Sequence, residues 1–262
     1  MALIVDRQTF DVLSVQVDSV NLPVACARIG QWIKERRKVY VCIAPVATIM
    51  DCQDDPQYRK IVNAADMVTP DGMPIVWLGR LSGNKAVQRT YGPDLMLEVC
   101  REGVARGYRH YLYGGTAEVL QRLESRLKKQ FLGINIVGSF SPPFSPSIDN
   151  IEKEEVLSAI DRARPDILWV ALGSPKQDYW MHRHRALLGV PVMVGVGAAF
   201  DFHSGEKPQA PRWMRGVGLE WLFRLLSEPR RLWKRYLIGN PRFVFLLAMD
   251  GCRRLFPKGA RP

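Results

Sequence analysis

What the sequence lacks narrows its function first. No run of 18 or more apolar residues occurs, so no membrane-spanning helix is expected. The opening stretch, Met1 to Leu13, has neither a basic start nor a long apolar segment, which argues against a secretory signal. Cysteine is sparse. Cys26, Cys42, Cys52, Cys100 and Cys252 are odd in number, scattered, and form no C-x-x-C pair. That fits a reducing cytoplasm better than a disulfide framework or a zinc site. There is no H-E-x-x-H, no G-x-S-x-G, no Walker motif and no G-x-G-x-x-G. No D-x-D occurs either, and the acidic cluster Asp51, Asp54 and Asp55 reads as a solvated loop rather than a cation cage. Metal-assisted and serine-hydrolase chemistry therefore lose ground, and no metal ligands are assigned.

What is present is a globular composition with a lopsided charge. The chain has 262 residues, of which 47% are hydrophobic and 24% charged, enough for one large domain or two small ones. Its formal net charge is +11. From Gly218 to Pro262 there are 10 Lys and Arg against 3 Asp and Glu, whereas the preceding 217 residues carry 27 against 23. A basic C-terminal end of this kind points to an anionic partner, either nucleic acid or anionic lipid.

Apolar runs of strand length alternate with helical patterns. Residues 2–18 read as two short strands, followed by a helix over Leu22 to Arg37 and a strand over 38–44. A helix at Gln57 to Ala64 and a strand at 65–70 come next, then a helix from Pro93 to Arg106. Strands are expected at 110–115, 134–140, 166–173 and 190–197, with helices at Thr116 to Gln130, Ile151 to Arg164 and Pro175 to Leu188 between them. Alternation of this type predicts right-handed βαβ units and a Rossmann-like α/β core, a largely parallel sheet flanked by helices, over residues 1–204. Residues 205–262 read as a helical basic appendage, loop-like from Lys207 to Gly216 and divided near Pro229.

Candidate site residues fall where strands end. Asp71, in TPDGMP, follows a short strand, and it can serve as a general base or simply make a turn or helix cap. Gly114 and Gly115, in YGGT, let a phosphate approach a helix N-terminus, or else form a structural turn. In GSPKQD, Gly173 makes the turn, Lys176 suits a phosphate and Gln177 a base or sugar, with solvated side chains as the alternative. Gly197 and Asp201, in GVGAAFD, follow a very apolar strand. If a diphosphate leaves in the reaction, its charge falls to arginines and backbone amides, and Arg89 and the tail arginines are the available sources. The tail interleaves basic residues with Trp, Phe and Tyr, a pattern that fits an interfacial helix on anionic lipid, nucleic-acid binding, or a helix docked on its own core.

The strings PDG (70–72), YGPDLM (91–96), YGG (113–115), GSPKQD (173–178), GVGAAFDFHSG (195–205), APRWM (210–214) and GLEWLFRLLSEPRR (218–231) together resemble the WecG/TagA/CpsF glycosyltransferases, over roughly residues 10–245. The resemblance implies an inverting, metal-independent transfer of a sugar from a UDP-sugar to a polyprenyl-diphosphate-linked saccharide. The setting would be bacterial exopolysaccharide, capsule, teichoic acid or common antigen synthesis, with no cofactor besides the substrate nucleotide. The enzyme would work peripherally on the cytoplasmic face of the membrane, with no nucleic-acid partner, and self-association is left open. By the same resemblance Asp71 is the base, Arg89 lies near the donor diphosphate, and Gln177 lies in the donor pocket. Arg224 and Arg231 engage phosphate, with Lys234 and Arg235 beside them in the same basic run. The sequence departs from the family pattern at Ala44, Pro45 and Val46, where a Thr-x-Asn is usual, and at Asp178, where Glu is usual. A nucleotide-cofactor oxidoreductase and a basic nucleic-acid-binding module are the rival readings.

Overall fold

Six β-type runs associate into one parallel sheet because helices cover both of its faces. The computed structural model describes residues 7–143, 145 and 154–255. The sheet's strands are β3 (Val39–Ala44), β4 (Met67–Pro70), β5 (Arg109–Gly114), β6 (Asn135–Phe140), β7 (Ile167–Ala171) and β8 (Val192–Gly195), in the order β4-β3-β8-β7-β5-β6. β3 and β8 are buried along their whole length, which is why their sequences are apolar throughout rather than alternating. Along β3, Tyr40, Cys42 and Ala44 enter one core while Val39, Val41 and Ile43 enter the other. This is the two-residue period of a strand sandwiched between two helical layers.

Ahead of the sheet, β1 (Thr9–Val12) and β2 (Val15–Asp18) form an antiparallel hairpin. Its turn residues Leu13 and Ser14 both have positive φ, 52° and 66°, although neither is Gly or Asn. Asp18 anchors the hairpin to the core: it is fully buried, accepts from Val68 N at 2.8 Å and pairs with Arg7 and Arg28.

The connections are helical. α1 (Leu22–Lys34) starts on an Asn21 cap. α2 (Val46–Asp54) and α3 (Pro56–Asn63) link β3 to β4. Asp51 and Asp54 therefore lie on a helix, and Asp55 caps the next one through Gln57 N and Tyr58 N, so the expected acidic loop is corrected. β-branched residues disguised α2, which forms because Thr48, Ile49, Met50 and Cys52 bury one of its faces. α4 (Met73–Leu81) and α5 (Gly92–Arg106) precede β5, and α6 (Ala117–Gln130) begins where expected, at Thr116, whose side chain caps it by accepting from Val119 N at 3.3 Å. α7 (Glu154–Ala163), α8 (Lys176–His184) and α9 (Ala199–Ser204) follow β6, β7 and β8. The expected start of the α7 helix at Ile151 lies outside the described residues.

The C-terminal part comprises α10 (Arg212–Gly216), α11 (Glu220–Ser227), α12 (Pro229–Trp233), a π-helical turn (Lys234–Ile238) and α13 (Gly239–Leu255). α10 corrects the loop expected over Lys207 to Gly216. Phe243 of α13 is buried in the core beneath α2, and Arg242 pairs with Asp54.

A second fully buried carboxyl sits in this core. Asp178 on α8 has no exposure and accepts a 2.7 Å hydrogen bond from Tyr58 Oη. Burial outweighs that bond and raises its pKa to about 6. A carboxyl raised in the folded state contributes most below its unfolded pKa of about 3.9 and loses that contribution as the pH climbs towards 6. Asp178→Asn should flatten this part of the stability profile. It should gain about 2–3 kcal/mol over the parent at pH 8, read by chemical denaturation at pH 4 and pH 8.

Candidate active site

β4 delivers Asp71 to the carboxyl edge of the sheet. The segment leading into α5 returns alongside it: Thr90 N donates to Pro70 O at 2.9 Å, and Thr69 Oγ1 donates to Thr90 O at 3.2 Å. Arg89 is thereby carried to Asp71, and its Nε donates to Asp71 Oδ1 at 2.9 Å. Gly72 occupies the cap position of α4 without a side-chain hydrogen bond, so Asp71 is not spent as a cap.

The other end of the same guanidinium reaches the appendage. Arg89 Nη2 donates to Glu220 Oε2 at 2.6 Å, and Tyr91 Oη donates to Glu220 Oε1 at 2.9 Å. The Arg89 guanidinium also lies 4.1 Å above the Tyr91 ring. Glu220 is the first residue of α11 and is buried. Burial raises the Asp71 pKa, and the Glu220 charge adds to this while Arg89 and Arg224 oppose it. Burial works against the charge on Arg89, but the two carboxylates outweigh it and hold its pKa above the usual value.

Two cavities meet at Asp71. The first lies at the ends of β3 and β8, where the chain switches from one half of the sheet to the other, the usual crevice of an open α/β sheet. Its walls include Gly173, Gln177, Gly197 and Tyr91, and it is roofed by Arg224, Arg231 and Arg235. The second lies between the start of α4 and the appendage. It is lined by Val46, Met73, Pro74, Trp221 and Tyr236, with Arg89, Arg215 and Glu220. Pro45, Asp71, Arg224 and Arg235 line both.

The roof is a cationic cluster. Burial, followed by the charges of Arg224 and Arg235, lowers the Arg231 pKa. Arg231 pairs with Glu228, but no described carboxylate lies within ion-pair distance of Arg224 or Arg235. Guanidiniums gathered this closely around a cleft suit a diphosphate. Among the described residues no three His, Cys, Asp or Glu side chains gather as a metal cage would.

The structure thus brings Asp71, Arg89, Gly173, Gln177, Gly197, Arg224, Arg231 and Arg235 to the cavity walls. Gln177 does not project freely. Its Oε1 accepts from Gly197 N at 3.1 Å and its Nε2 donates to Ser174 Oγ at 3.2 Å, so it ties the loop after β7 to the loop after β8. Gly114, Gly115, Lys176, Asp201 and Lys234 lie outside both linings. Gly114 has φ +120° and lets β5 approach β7, since a Cβ there would sit 2.5 Å from Ala171 O. Gly115 O accepts from Ser141 Oγ, Lys176 Nζ donates to Ser145 O, and Asp201 pairs with Lys207. Lys234 is exposed and lies over the Trp233 ring. Sequence reasoning missed Glu220, Tyr91 and Arg215. Glu220 had one available signal, its four-residue spacing from Arg224, which puts both on one face of α11.

Comparison with known proteins gives the class. The model of the glycosyl transferase WecG/TagA/CpsF family matches residues 10–256. A protein of Bacillus spizizenii, named N-acetylglucosaminyldiphosphoundecaprenol N-acetyl-beta-D-mannosaminyltransferase, is 30% identical over 213 residues, 81% of this chain and 80% of its own. A protein of the same name from Bacillus subtilis is 33% identical over 196 residues, 75% of this chain and 73% of its own. The chain therefore belongs to the WecG/TagA/CpsF glycosyltransferase family and is a glycosyltransferase. The oxidoreductase and nucleic-acid-binding readings give way to it.

Gln177→Ala removes both loop-tying hydrogen bonds and leaves the Gly197 N–H without its partner. Its expected cost is about 1–3 kcal/mol of folding stability, measured by chemical denaturation without ligand.

Proposed function

We propose that this protein transfers an N-acetylmannosaminyl group, or a close relative, from a UDP-sugar to N-acetylglucosamine on a polyprenyl diphosphate, with inversion and with arginines in place of a metal. One observation carries the reading: Asp71 stands at the boundary of two cavities that share Arg224 and Arg235, one formed by the glycine loops at the sheet switch and the other adding an apolar wall of Val46, Met73, Pro74 and Trp221. The crevice at the sheet switch suits the nucleotide sugar, and Arg224, Arg231 and Arg235 suit its diphosphate. The second cavity suits an acceptor whose sugar is attached to a lipid. Val46 gives that cavity apolar wall at one of the two positions, 44 and 46, where the family pattern has polar residues.

The relatives' names specify a β-linked product. From an α-linked nucleotide sugar this requires a single displacement. Asp71 takes the proton of the acceptor hydroxyl as that oxygen bonds to the anomeric carbon. The bond from that carbon to the diphosphate breaks on the opposite side, and its electron pair leaves with UDP. The guanidiniums stabilise the departing charge in a cleft partly shielded from water.

No helix among the described residues is long and apolar enough to cross a membrane. The appendage nevertheless exposes Trp213, Val217, Leu226, Leu237, Ile238 and Phe245, each more than half exposed, among its arginines. Trp77 and Leu81 of α4 are also exposed, and Gly218 packs against Met73 and Trp77. These apolar groups, set among basic residues, support peripheral binding to an anionic membrane, where a lipid-linked acceptor resides.

Asp71→Asn should lower turnover at least about 100-fold with an unchanged unfolding midpoint. The assay is UDP release from UDP-N-acetylmannosamine with undecaprenyl-diphospho-N-acetylglucosamine, run with and without EDTA. Turnover near the parent's would overturn the base assignment, and loss of parent activity in EDTA would overturn the metal-free mechanism. The double variant Leu237→Glu, Phe245→Glu should pellet with phosphatidylglycerol vesicles at least about ten-fold more weakly while keeping activity on a short-chain, detergent-soluble acceptor. Undiminished pelleting would remove the docking role from this face.

A further inference from the structure

Glu220 has no role in the chemistry outlined above, yet it is a buried acidic side chain at its centre. The geometry of Arg89 suggests why. A guanidinium can offer Nε and Nη2 as a parallel pair to one carboxylate, its strongest mode of binding. Here that pair is divided: Nε goes to Asp71 and Nη2 to Glu220, at 2.9 and 2.6 Å. Tyr91 Oη fixes the second Glu220 oxygen at 2.9 Å, so the carboxylate cannot swing away without breaking two hydrogen bonds. Asp71 keeps one hydrogen bond from Arg89 rather than two, and its other oxygen takes none from a described residue.

We propose that Glu220 is a positioning residue that divides the Arg89 guanidinium between two carboxylates and so leaves Asp71 basic and open to the acceptor hydroxyl. This rests on the assignment of Asp71 as the base. The charged and titratable groups around Asp71 are Arg89 and Tyr91 from the return segment, Glu220 and Arg224 from α11, Arg215 from α10, Arg231 from α12, and Arg235 and Tyr236 from the π-helical turn. Five of these eight are arginines, which favour the carboxylate and weaken it as a base. Glu220 is the one anion among them, and its charge acts in the opposite direction.

The experiment is the pH dependence of kcat for the parent, Glu220→Gln and Glu220→Asp in the full-length chain, with the same donor and acceptor. Glutamine keeps the shape and an acceptor oxygen but removes the charge. Arg89 then turns fully to Asp71, so the acidic limb of the profile should move to lower pH and the plateau should fall about ten-fold, as expected for a weaker base. Aspartate keeps the charge, and its limb should stay near the parent's even if misplacement lowers kcat. A merely structural role would lower all rates without moving the limb. An unmoved limb in Glu220→Gln, with Asp71→Asn inactive, overturns this inference and leaves the base assignment standing. An active Asp71→Asn overturns both.

Discussion

Arg89 is the tie on which the arrangement of this protein depends. One guanidinium joins the carboxyl edge of the sheet, through Asp71, to the first turn of the appendage, through Glu220. Both ion pairs are largely removed from water, so loss of Arg89 would leave two buried carboxylates without their cation. The position of the tail over the cleft and the electrostatic setting of Asp71 are therefore one structural fact. The appendage is also held elsewhere, by Phe243 in the core and by Lys207 between Asp201 and Glu228, while the Arg89 and Tyr91 bonds to Glu220 pass through the site itself.

The fold supplies the remaining geometry. A parallel sheet buried on both faces opens a crevice where β3 and β8 adjoin. The loops on either side of that crevice are short and fixed by Gln177, so the crevice is preformed. The second cavity is built differently. Half of its lining belongs to the appendage and the rest to the start of α2, the turn from β4 into α4, and Arg89, and its neighbours on the outer surface are exposed Trp and Leu side chains. The two cavities thus share Asp71, Arg224 and Arg235, and the second adds apolar wall from Val46, Met73, Pro74 and Trp221.

Much of the fold was legible in the sequence because burial on two faces leaves a plain mark. The strand runs around 38–44, 166–173 and 190–197 are apolar without interruption, and the structure places β3, β7 and β8 there. The Thr116 cap was legible for the same reason: side-chain capping is local. α2 and α4 were not, since Val46, Thr48 and Ile49 in the first and Ile75, Val76 and Gly79 in the second are poor helix formers held by packing. The hairpin turn at Leu13 and Ser14 carries none of the residues that announce positive φ. For the site, strand ends identified Asp71, Gly173, Gln177 and Gly197, which line the cavities. The same logic selected Gly114, whose missing side chain serves strand contact instead. The meeting of Asp71 with Arg89 and Glu220 spans 18 and 131 positions for its two bonds, and no local pattern encodes it.

The roof of Arg224, Arg231 and Arg235 has a consequence for how this protein responds to ionic strength. Mutual repulsion within that trio is relieved by dissolved counterions, whereas the proposed attraction between the basic tail and a charged bilayer would be weakened by them. On that proposal salt pulls the two in opposite directions, calming the cleft while loosening the grip on the surface, and the best working concentration is a compromise between a settled pocket and a held membrane.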